Sequence, residues 1–194
     1  MSRIERLVFV VVDASRSMGV LGRMRETKAT ILSLLVNAYQ KRDRIALITF
    51  RERRASLALP PTRSVPVALR HLRQLTTGGA TPLAHALALT HHSLLTVMRR
   101  HERAFPIVVL ITDGRGNIAI SDEDPWEGIV REATRLAGLG VRTIMIDTES
   151  GAVRLGLARR LAAVLRAPCY PAHELGSGPL SQQVQRALLR SLAG

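Results

Sequence analysis

The stretch LVFVVVDASRSMG, residues 7–19, decides the fold. Leu7 to Val12 is an unbroken apolar run, rich in β-branched residues, which suits a central parallel strand buried on both faces. Asp13, Ser15 and Ser17 follow at once. Beyond them Arg23 to Tyr39 repeats Ala29, Leu32, Leu35 and Val36 at helical spacing. A strand that ends in an oxygen-rich loop and passes into a helix is the first unit of an alternating α/β chain.

The alternation continues outward from that unit. Arg44 to Phe50 reads as a second strand, and Ala55 to Leu59, reached across the short RERR turn, as an antiparallel edge strand that Pro60 and Pro61 end. Val65 to Leu75 and Pro82 to Arg100 read as helices separated by TTGGA, with Pro82 in a first-turn position where its missing N–H costs nothing. Ile107 to Thr112 is another buried strand, Gly114 to Asp124 a polar loop, Pro125 to Leu139 a helix and Val141 to Asp147 a strand. Leu155 to Leu165 is helical, Cys169 to Pro171 a short last strand, and Leu180 to Leu192 a terminal helix. The pattern predicts a doubly wound, Rossmann-like α/β domain: a six-stranded, mostly parallel sheet with one antiparallel edge strand and helices on both faces.

The 194 residues, 46% of them hydrophobic, suit one domain spanning 1–194 with a single sizeable core. No apolar run reaches the roughly 20 residues of a membrane helix, and the opening MSRIERLVFV leads into a core strand, so a cytoplasmic location is expected. Cys169 is the one cysteine and cannot form an internal disulfide. The formal charge of +13 is carried almost entirely by arginine, in short groups such as Arg51, Arg53 and Arg54; Arg99, Arg100 and Arg103; and Arg159 and Arg160. Such a field favours anionic partners. With 3% aromatic residues to stack on bases, an acidic protein face is favoured over nucleic acid.

The predicted sheet gives the loop residues a common purpose. In doubly wound sheets ligands lie beyond the carboxyl ends of the strands, where strand order reverses. Asp13 and Asp113 end two strands expected to flank that point, Ser15 and Ser17 follow Asp13, and Thr81 precedes a helix. Two carboxylates and three hydroxyls are hard oxygen donors, the type that Mg2+, Mn2+ or Ca2+ accept, and they leave a coordination position for a partner's acidic side chain. Taken singly, D-x-S-x-S, GG-x-T-P and T-D-G are ordinary caps and turns. Their joint occurrence, each after the right element, points to a metal.

VVDASRSM, RDRIALITFR, LPPTRSVPVALRHLRQL, GGATPLAHAL, VLITDGRGNI and MIDTE together resemble the von Willebrand factor A domain with its metal-ion-dependent adhesion site. Within that superfamily they are most similar to the C-terminal domain of the magnesium chelatase D subunit. The resemblance implies Asp13, Ser15, Ser17, Thr81 and Asp113 as the metal set, hydroxyls binding directly and carboxylates partly through water. It also implies a role in magnesium insertion into protoporphyrin IX, with an AAA+ subunit and a porphyrin-binding subunit as partners. The D subunit's AAA+-like domain and acidic linker find no counterpart in these residues, nor does a G-x-x-x-x-G-K-[ST] loop, so ATP hydrolysis by that route is not expected. Arg16 departs from the Gly often found there, and is expected to point outward.

The expected function is therefore a non-catalytic, metal-dependent docking module, part of an ATP-dependent ligase complex by resemblance. The alternatives are a catalytic chelatase component handling magnesium or porphyrin directly, and a stand-alone basic domain that binds another anionic partner. His85, His91 and His92 do not share one helix face, which disfavours zinc. Asp147 and Glu149 resemble the family's strand end but read as solvated residues closing a strand, and Asp122, Glu123 and Asp124 read as a polar insertion in preference to a second ion site. The terminal helix is expected to shift when metal and partner bind.

Overall fold

The computed structural model describes residues 5–16, 43–101, 104–149 and 154–171. Ser17, the helix expected at Arg23 to Tyr39 and the terminal helix at Leu180 to Leu192 lie outside the described residues. Six strands form one sheet: β1 (Glu5–Asp13), β2 (Arg44–Arg51), β3 (Arg54–Thr62), β4 (Ala104–Thr112), β5 (Arg142–Asp147) and β6 (Cys169–Pro171). The spatial order is β3-β2-β1-β4-β5-β6, and every pairing is parallel except that of β2 with β3. The four described helices are α1 (Val65–Gln74), α2 (Leu83–Arg100), α3 (Pro125–Ala137) and α4 (Leu157–Val164).

The period-2 geometry of strands explains the two cores. Phe9, Val11, Ile48, Phe50, Val108 and Leu110 face a layer built from α2, α3 and α4, through residues such as Leu83, Leu87, Ile129 and Leu161. Val8, Val10, Val12, Ile45, Leu47, Val109 and Ile111 face the other way, where Ala68 of α1 and the adjoining Leu75 pack with them. Both faces of the central strands are thus dry, which is why β1 and β4 read as continuous apolar runs.

Within the described residues the expected elements form, with small changes at their ends. One differs in kind: β3 does not stop at Pro60 but continues to Thr62. The pairing with β2 shifts register between Ile45 and Leu47, where Thr62 and Leu59 are the partners, so the prolines lie at a bulge. An edge strand needs only one row of hydrogen bonds, and an irregular edge accepts a residue without an N–H. Pro82 occupies the N-cap position of α2 rather than its first turn.

Strand order reverses between β1 and β4. The chain winds from β1 through β2 to the β3 edge, then returns to lay β4 on the other side of β1, with Val12 opposite Ile111. Asp13 and Asp113 therefore emerge side by side at the carboxyl edge of the sheet. At the opposite edge Arg6 of β1 pairs with Asp43 at 3.1 Å, just ahead of β2.

Candidate metal centre

Three loops meet at this reversal, and backbone hydrogen bonds join them. Gly78 donates its N–H to the carbonyl of Ala14 at 3.1 Å, and Arg16 donates to the carbonyl of Gly79 at 3.3 Å. These two bonds tie the Asp13–Arg16 loop to the segment that delivers Thr81. Thr81 is in turn joined to the β4 loop: its N–H donates to Asn117 Oδ1 at 2.7 Å, while the Asn117 N–H donates to its carbonyl at 3.2 Å. The positive φ of Gly79, +72°, and of Gly114, +78°, lets the second and third loops turn this tightly.

Asp13, Ser15, Thr81 and Asp113 are all brought into this cluster, and all four are buried. Asp13 accepts the Ser15 N–H on Oδ1 at 2.8 Å and the Thr112 hydroxyl on Oδ2 at 3.2 Å. Burial nevertheless pushes its carboxyl from the ordinary 3.8 up to about 6; the Ser15 and Thr112 hydrogen bonds work against this, and the neighbouring charge of Asp113 adds to it. Asp113 accepts the Arg115 N–H at 3.0 Å, and the Arg115 guanidinium lies 3.5 Å from its second oxygen. Two carboxylates held close together, with neutral hydroxyls about them, lower their mutual repulsion when a dication lies between them. The donor set is all oxygen, so it fits a hard cation such as Mg2+. Among the described residues no group of three or more His, Cys, Asp or Glu side chains is disposed to hold a metal.

Several residues differ from their expected roles. Asp147 and Glu149 are not solvated: both are buried. Asp147 accepts the Glu149 N–H at 2.8 Å, and its carboxyl is raised by burial, with the charges of Glu149 and Asp113 adding. Burial would raise Glu149 too, but the N–H groups of Leu155 and Gly156, at 2.8 and 3.1 Å, together with Arg115, hold it below its ordinary value. Arg115, which sequence reasoning passed over, thus lies between Asp113 and Glu149, 3.7 Å from the latter. Thr112 and Asn117 were also missed; the only local signal was an Asn shortly after T-D-G, a residue suited to bonding nearby backbone.

Two residues of the acidic loop have local roles. Asp124 caps α3 by accepting from Trp126 and Glu127, and Glu123 pairs with Arg131. Arg16 is exposed, as expected for a cation turned to solvent. His85 and His91 are half-buried and His92 is exposed. No described helix is long and apolar enough to cross a membrane.

Residues 8–115 match the von Willebrand factor type A domain family. The chain is 41% identical over 182 residues to the uncharacterized protein Rv2850c of Mycobacterium tuberculosis, covering 92% of this chain and 28% of that protein. It is 35% identical over 159 residues to the uncharacterized protein MJ0910 of Methanocaldococcus jannaschii, covering 81% and 91%. It is 41% identical over 170 residues to the magnesium-chelatase 67 kDa subunit of Chlorobaculum parvum, covering 82% and 27%. The chain thus spans little more than a quarter of the first and third of these relatives. Among solved structures, the vWF domain of the type V pili tip protein Mfa5 from Porphyromonas gingivalis superimposes with a TM-score of 0.74 at 11% identity, covering 100% of this chain and 97% of that one. Manganese-loaded TRAP protein from Plasmodium vivax gives 0.67 at 17% identity, covering 95% and 74%. These two likenesses concern the fold alone. Strand order, the match over residues 8–115 and the relatives agree: the chain belongs to the von Willebrand factor type A domain family and is related to a domain of magnesium-chelatase subunits.

Proposed function

We propose that residues 1–194 form one metal-dependent protein-docking domain in which Asp13, Ser15, Ser17, Thr81 and Asp113 hold a divalent cation. Mg2+ is the favoured ion, with Mn2+ and Ca2+ as possible substitutes. The observation that carries this reading is the convergence of Asp13, Ser15, Thr81 and Asp113 at the reversal of strand order, two buried carboxylates among them. A bound cation supplies an electrophilic coordination position. The chain's own residues fix its surroundings: Ser15 N–H and the Thr112 hydroxyl orient Asp13, Arg115 N–H orients Asp113, and Asn117 fixes the backbone of Thr81.

Five donors with neutral hydroxyls among them leave room for a carboxylate from outside, and the domain's work is to capture that carboxylate. The kinship with magnesium-chelatase subunits supports a setting in a chelatase-like complex, in the cytoplasm, where the AAA+ and porphyrin-binding subunits would be the partners during magnesium insertion into protoporphyrin IX. In that setting the domain docks subunits and is not itself the catalyst.

The test is capture of an acidic partner with and without metal. The chain should retain the chelatase AAA+ subunit on a column in Mg2+ and release it in EDTA, and Asp113→Asn should fail to retain it in either buffer. Retention that is indifferent to EDTA and to Asp113→Asn would overturn the reading.

A further inference from the structure

The turn between β2 and β3 lies at the same sheet edge as the proposed metal centre. Asp13 is paired with Phe50, so Arg51 stands one residue past the level of the carboxylate. The turn is packed against the loop that delivers Thr81. A Cβ on Gly79 would come within 2.9 Å of the Glu52 Cα and 2.7 Å of its Cγ, and Glu52 holds a φ of 57°, which an L residue adopts at some cost. The tip is thus fixed in place beside Gly79, whose carbonyl also receives the Arg16 N–H.

Its charge is unusual for so short a turn. Arg51 and Arg54 are directly opposed across the β2–β3 ladder, an arrangement of like charges that disfavours the pairing. Arg51 is relieved by Glu52 at 3.5 Å. Arg53 and Arg54 are exposed and have no ion-pair partner among the described residues. An opposed pair of cations at a solvent-facing tip becomes favourable once an anion bridges them.

We propose that the Arg51–Arg54 tip is a second, metal-independent contact for the partner docked at the metal, and that this partner is a peptide segment with several acidic residues. One carboxylate reaches the cation, and its neighbours along the segment lie against Arg53 and Arg54. This rests on the docking function proposed above and narrows it, from a single carboxylate to an acidic run. A protein segment is favoured over nucleic acid because the tip, RERR, offers no aromatic ring on which a base could stack.

The probe is a fluorescein-labelled octaglutamate peptide, titrated into the full chain by anisotropy in Mg2+ and in EDTA across a salt series. The double variant Arg53→Ala/Arg54→Ala should bind it about five- to tenfold more weakly in both buffers, with a shallower salt dependence, because exposed charge pairs contribute modestly and additively. The same variant should keep the wild-type response of its melting temperature to Mg2+, and Arg53→Lys/Arg54→Lys should recover most of the affinity. Asp113→Asn should lose only the increment that Mg2+ adds. Equal affinity of the double alanine variant and the wild type overturns the proposal, as does an octaglutamate too weak to saturate the wild type. So does a thymidine oligonucleotide of equal charge that binds more tightly and is equally sensitive to the tip. If Mg2+ adds nothing in the wild type while the tip variants still weaken binding in EDTA, the metal-docking reading fails and the tip contact stands.

Discussion

Asp13 is a side chain that is costly to the fold and that the proposed metal centre would put to use. Its carboxyl is pushed up to about 6 by burial, so at neutral pH the ionised form costs stability on the order of 3 kcal/mol. The sign follows from the raised value: the folded state binds the proton more tightly, the cost is absent below the ordinary value of 3.8, and it is fully present above about pH 6. Asp13→Asn should therefore melt roughly 6–12 °C above the wild type in EDTA at pH 7.5. In excess Mg2+ the order should reverse, since only the wild type gains from the ion. A variant that melts lower in EDTA would mean that the Asp13 carboxylate is structural. Cys169 is a simpler case. Burial first, and the charge of Asp147 second, push its thiol up to about 11. At pH 8 its alkylation by iodoacetamide should be roughly two orders of magnitude slower than that of a free thiol, and should accelerate with each unit of pH toward 11. Modification at the rate of a free thiol would contradict this environment.

At the scale of elements, the site depends on how closely the loops pack on the helices that follow. Gly114 begins the loop after β4, and a Cβ there would lie 2.4 Å from the Ala158 N and 2.6 Å from the Leu157 carbonyl carbon, at a φ of +78°. Backbone cannot retreat as a flexible side chain can. Gly114→Ala should cost about 3 kcal/mol or more in urea unfolding, whereas Gly140→Ala, at φ +66° in open space, should cost about 1 kcal/mol. Equal costs would show that the loop and α4 are not in close contact. The elements themselves were legible because their signals are local: β1 and β4 are apolar runs, and α3 opens on Asp124 and Pro125, a cap and a first-turn proline. The course of β3 past Pro60 and Pro61 was not legible. Whether a proline ends a strand depends on whether its missing N–H faces a neighbour, which is a property of the sheet.

Across the whole molecule, the fold turns distant segments into one site. Asp13, Ser15, Thr81 and Asp113 could be named from residue type and order because each lies at a strand or helix end that the pattern locates. Their supports could not. Thr112 meets Asp13 across 99 residues and Asn117 meets Thr81 across 36, and neither pairing leaves a periodic trace. Strand-closing charges are often solvated, which is the reading their sequence suggests for Asp147 and Glu149, yet both are buried and bound by backbone N–H groups of the following segments. The net charge of +13 has the same character: the sequence shows its size, and only the fold shows that the turn carrying Arg51, Arg53 and Arg54 packs against Gly79, in the loop that delivers Thr81. The carboxylate cluster is proposed to hold a divalent cation. Its most direct test is a Mn2+ titration of the full chain, following the free ion by its electron paramagnetic resonance signal. One saturable site that Mg2+ displaces, and that Asp113→Asn weakens at least tenfold, is the predicted result. No saturable binding, or equal binding by Asp113→Asn, would contradict it.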